Sequence, residues 1–147
     1  MKAEDPSNIG RRFQVDEPIE VTTEKIAAFC AAMGDNNPLY LDPVAAKAGP
    51  YGGIIAPPAY AASFRRAEPA EQVSLFPRGG LMAGIDIELV TPMRPGDSIT
   101  IATEVKETYE KTGRSGTMMF TVIRSTLTNQ KDEVSAYVDY RMMNRRR

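Results

Sequence analysis

Histidine is absent from all 147 residues. This removes Ser-His-Asp and Cys-His catalysis, histidine metal ligation and the most common general base near neutral pH. Cysteine is nearly absent too: Cys30 stands alone, which excludes an internal disulfide and any paired-thiol redox or zinc motif. Cys30 falls among Ile26, Ala27, Phe29 and Met33 on a helical pattern. A core thiol is therefore expected rather than a nucleophile, because a reactive thiolate needs an electropositive, accessible setting. No charge of one sign dominates. With 18 basic against 19 acidic residues there is no global field to draw the chain to nucleic acid or an anionic membrane. No apolar run approaches the length of a membrane span, and Met1 to Asn8 is polar and acidic where a secretory signal needs a basic start and an apolar middle. The expectation is a cytoplasmic protein with no nucleic-acid partner and no membrane insertion. The length fits one domain over residues 1–147, with a core over about 10–143 and a basic tail at 144–147.

Helical signals are confined to the first half. Thr22 or Thr23 can cap a helix with Glu24 in its first turn, and Ile26, Phe29, Cys30 and Met33 recur at helical spacing until Gly34 supplies a stop. The spacing predicts a helix near residues 23–33. Asp42 before Pro43 is a capping residue before a helix-starting proline, and the short run through Ala48 ends at Gly49-Pro50. A third start lies at Pro57-Pro58, with small and aromatic residues from Ala59 to Arg65 suited to a buried helix that Pro69 breaks at the latest. From Ala67 to Gly80, prolines and glycines with little periodicity predict a connection over the surface.

Beyond Leu81 the period becomes two. Ile85, Ile87 and Leu89 alternate with Asp86, Glu88 and Val90, and similar alternation runs through 99–105, 118–124 and 135–141. The intervening turns are Arg94-Pro95-Gly96-Asp97, the stretch from Lys111 to Gly113, and the stretch from Thr128 to Asp132. Four long strands joined by short turns must pair antiparallel, and the apolar face of their sheet needs a cover, for which the helix after Pro58 is the candidate. The fold class is α+β: a strongly curved antiparallel sheet wrapped around a helix.

The segment Gly34-Asp35-Asn36-Asn37-Pro38-Leu39-Tyr40-Leu41-Asp42, followed by Ala45-Ala46 and by Gly52-Gly53-Ile54-Ile55-Ala56-Pro57-Pro58, resembles the signature of the MaoC-like (R)-specific enoyl-CoA hydratases and 3-hydroxyacyl dehydratases. It is most similar to the branch with a fatty-acid-synthase-like dehydratase N-terminal domain, which includes non-catalytic subunits of heterodimeric dehydratases. The likeness runs from about Gly10 to about Met143. It implies a hot-dog fold, a place in fatty acid or lipid metabolism, and a substrate carried as a coenzyme A or acyl-carrier-protein thioester, with no resident cofactor or metal. It also implies that Asn37, Gly53, Ile55, Ala56, Pro58 and Tyr60 line the substrate.

Catalytic members of the family read Gly-Asp-x-Asn-Pro-Leu-His-x-Asp, and their aspartate and histidine position and deprotonate the water that adds across the double bond. Asp35 matches the aspartate, but Tyr40 takes the histidine's place. A proton carrier works best with a pKa near the operating pH, which an unperturbed phenol, near about 10, does not offer. The family's second element is a backbone N–H at the start of the central helix that polarises the thioester carbonyl. Pro58 stands there and has no N–H. Asp35, Asn37 and Asp42 also have a purely structural use, as turn and capping residues beside Gly34 and Pro38. Arg11-Arg12, Arg65-Arg66 and Arg145-Arg146-Arg147 are either phosphate contacts or solvated charges, and Met118, Met119, Met142 and Met143 fill either the core or an acyl site.

A shared fold leaves four readings. The leading one is a non-catalytic subunit of a hetero-oligomeric hydratase or dehydratase, paired with a histidine-bearing MaoC-like hot-dog subunit, or with itself when alone. The alternatives are an active homodimeric hydratase using Asp35, an acyl-CoA-binding module outside any enzyme, and a thioesterase.

Overall fold

The structure is a computed structural model that describes residues 9–64, 80–114 and 116–145. Strand β1 (Arg12–Glu20) leads into helix α1 (Thr23–Met33), then α2 (Pro38–Leu41) and α3 (Pro43–Ala48). A 3₁₀ turn (Pro58–Ser63) precedes strands β2 (Leu81–Leu89), β3 (Ser98–Gly113), β4 (Gly116–Thr128) and β5 (Val134–Arg145).

The helix starts follow local chemistry. The Thr22 side chain accepts the Lys25 N–H, and Gly34 at φ 68° closes α1 in the left-handed region that glycine tolerates. Asp42 accepts the N–H groups of Val44 and Ala45 at 2.9 and 3.2 Å, with Pro43 in the first turn of α3. Helix α2 was not expected: Pro38-Leu39-Tyr40-Leu41 winds because Asn37 caps it and Pro38 fixes its first φ. After Pro58 the chain winds as 3₁₀ through Ser63 and carries no side-chain cap. The expected continuation through Arg65, and the expected connection up to residue 79, lie outside the described residues.

All strand pairs are antiparallel, in the order β1-β3-β4-β5-β2. Strand β1 was missed by the alternation argument, because its pairing with β3 shifts register between Val15 and Ile19 and breaks the period. The hairpin from β3 to β4 is tighter than expected. Gly113 pairs with Gly116, so Lys111 and Thr112 are strand residues rather than turn. Strand β5 runs through Asn144 and Arg145, two residues into the stretch read as a basic tail, because they pair with Met119 and Met118. The connection between β2 and β3 is fastened at Gly96, φ 94°: Asp97 donates to the Arg94 carbonyl, and the Gly96 N–H donates to the Val21 carbonyl at 2.8 Å.

One face of the sheet is dry. Ile99, Ile101 and Val105 of β3, Ile123 and Leu127 of β4, and Ala136, Val138 and Tyr140 of β5 form one buried cluster. The cover is double, since Ile26 and Cys30 of α1 join Tyr60, Ala61 and Phe64 in that cluster. The segment after Pro58 is thus not the sole cover. Tyr140 ties the two layers by donating its hydroxyl to the Ala62 carbonyl at 3.2 Å. Among the described residues, no helix is long and apolar enough to cross a membrane.

Candidate functional site

The loop between α1 and α2 is built by its own side chains. The Asp35 N–H donates to the Cys30 carbonyl at 2.9 Å, the Asp35 carboxylate accepts the Asn37 N–H at 3.1 Å, and Asn37 Oδ1 accepts the Leu39 N–H at 3.0 Å. These nested turns are the structural use the sequence offered for Asx residues beside Gly34 and Pro38. They hold Asp35 and Tyr40 at opposite ends of one short segment.

Tyr40 is half-buried and packs against the core cluster. Burial pushes its phenol above the usual tyrosine range, and the negative charge of Asp35 pushes it further, with smaller contributions from Cys30 and Tyr51. Cys30, 1% exposed, is raised by the same two causes, burial first and Asp35 second. The expected core thiol is what the structure contains. Burial first and Asp35 second thus make both groups hold their protons more tightly, which moves the Tyr40 phenol further from the near-neutral pKa that suits a proton carrier.

The second segment is stitched to the first by backbone. The Ile55 N–H donates to the Leu39 carbonyl at 3.3 Å and the Ala56 N–H to the Met93 carbonyl at 2.8 Å. Pro57 and Pro58 follow, so the first N–H that the 3₁₀ turn carries belongs to Ala59. Among the residues expected to line substrate, Ile55, Ala56 and Tyr60 are buried at 7, 6 and 4% exposure, and Pro58 is exposed. The Tyr60 ring meets Phe29 edge-on at 5.4 Å and Phe64 at 5.3 Å, and burial raises its phenol's pKa. Gly53 lies under Arg94, whose Nη1 stands 3.6 Å from where a Cβ would be. Arg94 also donates Nη2 to the Tyr51 carbonyl at 2.6 Å.

Arg94 and Tyr51 were not singled out from sequence. Arg94 read as one residue of a turn, and nothing in the spacing brings it to a loop 43 residues away. Of the arginines considered as phosphate contacts, Arg12 pairs with Glu104 at 2.6 Å, Arg11 lies over the Phe13 ring, and Arg145 ends β5 opposite Met118. Residues 65, 66, 146 and 147 lie outside the described residues. Of the methionines, Met142 is buried and the other three are half-buried.

This arrangement of sheet, cover and loop has known counterparts. The crystal structure of a MaoC-like dehydratase from Rhodospirillum rubrum matches over 95% of this chain and 93% of its own, with a TM-score of 0.72 and 25% identity. That of the C-terminally truncated HadBC (3R-hydroxyacyl-ACP dehydratase) complex from Mycobacterium tuberculosis matches over 93% of this chain and 97% of that chain, with a TM-score of 0.72 and 17% identity, a likeness of fold. The fold is the hot-dog fold of the MaoC-like hydratases and dehydratases. In sequence, the profile of the FAS1-like, dehydratase domain region matches residues 7–137. A UPF0336 protein of Streptomyces avermitilis is 37% identical over 110 residues, 69% of this chain and 71% of that protein. The chain belongs to the FAS1-like dehydratase domain family.

Proposed function

We propose that this chain is the non-catalytic, acyl-thioester-binding subunit of a hetero-oligomeric hydratase or dehydratase. A histidine-bearing hot-dog partner moves the protons, and this chain completes the assembly and shapes the acyl tunnel. The observation that carries the reading is Tyr40, half-buried against the core in the segment that also holds Asp35. In the histidine's place stands a phenol whose pKa is raised by burial and by that carboxylate, so at neutral pH it neither takes a proton from water nor returns one readily. Two further observations support it. One oxygen of the Asp35 carboxylate accepts the Asn37 N–H in a turn, and the prolines at 57 and 58 remove backbone donors where developing oxyanion charge would need them. The HadBC dehydratase, a fold neighbour, is itself a complex. Adding water to an enoyl thioester breaks the C=C π bond and a water O–H bond and forms a C–O bond at the β-carbon and a C–H bond at the α-carbon, a redox-neutral step with acid-base assistance that calls for no resident cofactor.

The test is co-expression with any histidine-containing MaoC-like protein encoded next to it, followed by hydration assays against enoyl-CoA thioesters of several chain lengths. Activity that appears only on mixing is expected. Turnover by the purified chain alone, abolished by Asp35→Asn, would replace this reading with that of an active homodimer.

A further inference from the structure

On the core face of the β3–β4 ladder, three pairs of hydroxyl residues stand opposite one another: Thr103 with Ser125, Thr108 with Thr121, and Thr112 with Thr117. Alternation along β4 from the buried Ile123 puts all three on that face. The outer two pairs satisfy themselves, with hydroxyl oxygens 3.3 Å apart at Thr103 and Ser125 and 3.0 Å apart at Thr112 and Thr117. The middle pair does not. The hydroxyls of Thr108 and Thr121 are both buried, and neither meets a hydrogen-bonding partner among the described residues. Thr121 as a whole is 1% exposed. The cause lies a step away, where the register shifts between Val105 and Glu107 and Lys106 is the extra residue. A bulge of this kind bends its strand and re-aims the side chains beside it.

The neighbours of this pair toward the core are apolar. Thr121 stands opposite the buried Met142 of β5, and the core-face pair before it on the ladder is Val105 with Ile123, neither of them exposed. A buried hydroxyl without a partner costs free energy, and a valine of the same shape would remove that cost. Here two such hydroxyls stand together. An oxygen placed between them accepts a hydrogen bond from each, or accepts from one and donates to the other if it belongs to a hydroxyl.

The segment that follows the loop site runs toward the pair. Ala56 is hydrogen-bonded to Met93, in the connection that precedes β3, whereas Ala62 accepts the Tyr140 hydroxyl well along β5. Thr121 and Met142 form the next core-face pair beyond Ile123 and Tyr140. From Ala136 to Met142 strand β5 covers about 20 Å, the scale of a long acyl chain laid out from Ile55 and Ala56. We infer that Thr108 and Thr121 bind an oxygen carried by the acyl chain far from its thioester, so that the favoured ligand is an acyl thioester with a hydroxyl or keto group toward its distal end. The inference rests on the acyl-binding role proposed above and adds which acyl chains that role selects.

The test uses saturated acyl-CoA thioesters, which undergo no hydration, in matched pairs from octanoyl to palmitoyl with and without an ω-hydroxyl. Binding is measured by isothermal titration calorimetry on the complex from the co-expression above, or on the full chain alone if none forms. The ω-hydroxyl is expected to weaken binding at lengths that bury it unpaired, and to strengthen it about tenfold at the length that brings it to the threonines. Thr108→Val/Thr121→Val is expected to bind the ω-hydroxy chain no better than the plain one at every length, whereas Thr121→Ser keeps the reversal. Urea denaturation of the ligand-free protein separates this role from a structural one, since hydroxyls without partners predict a valine variant at least as stable as wild type. A wild type that favours the plain chain at every length overturns the inference and leaves acyl binding intact. A valine variant that is destabilised or does not fold overturns it as well. Binding of no thioester at any length overturns the inference together with the acyl-binding reading.

Discussion

At position 40 the chain carries a hydroxyl that holds its proton more tightly than a tyrosine in water, first because it is half-buried and then because Asp35 is negative. Raising a phenol's pKa moves it away from any proton-transfer role near pH 7. Tyr40→Phe is therefore expected to leave the hydration rate of the assembled complex within about twofold, measured on enoyl-CoA, because general acid-base participation would cost roughly a hundredfold or more. Asp35 and Asn37 were legible as turn formers from their neighbours Gly34 and Pro38, and each accepts a backbone N–H two residues on. Arg94 was not legible. Its guanidinium reaches the Tyr51 carbonyl through a fold that spacing along the chain does not encode.

Elements are where propensity and packing divide the work. Helices α1 and α3 begin and end where capping residues and glycine require, because those signals act within one turn. The alternation seen on β5 as Ser135, Tyr137, Asp139 and Arg141 includes the charged outward face, although Ser135 is itself buried, and the apolar buried set beside them is Ala136, Val138, Tyr140 and Met142. Asp139 is the hub of that outward face. Burial tends to push its carboxyl up, but the hydrogen bonds and charges of Arg124 and Lys106 outweigh it and leave the pKa below the usual aspartate value. A carboxylate depressed on folding stabilises the protein above its unfolded pKa, about 3.9, and that contribution fades as pH falls through the lower folded value. Urea denaturation is expected to show wild type losing more stability between pH 6 and pH 3 than Asp139→Asn does. At pH 7 the same substitution is expected to cost about 1–3 kcal/mol.

For the whole molecule the question is what covers the sheet. The cluster joins Ile26 and Cys30 of α1 to Tyr60, Ala61 and Phe64, all against the same face, so stability depends on α1 as much as on the segment after Pro58. Ile26→Ala, at a site with no exposure, is expected to cost about 2–5 kcal/mol in chemical denaturation. A cost below about 1 kcal/mol would mean that α1 sits on the sheet without contributing to its core. Assembly belongs to the same scale, since β2 at the edge of the sheet carries the exposed apolar residues Leu81, Met82, Ile85 and Leu89, and an edge of that kind is prone to pairing with another strand.

Sequence alone determined the strand-rich second half, the capped helices, the loop motif and the loss of the histidine, because each depends on residue type and on spacing within a few positions. Tertiary structure decided the rest: that β1 joins the sheet across a register break, that α1 shares the cover, and that Asp35 acts electrostatically on both Cys30 and Tyr40. It also placed Arg12, Glu104, Arg124, Asp139 and Asp86, from five strands, in one row ending at β2. Those facts are set by which strands lie side by side, and pairing between distant segments is fixed by the packing of the whole sheet rather than by any stretch of chain within it.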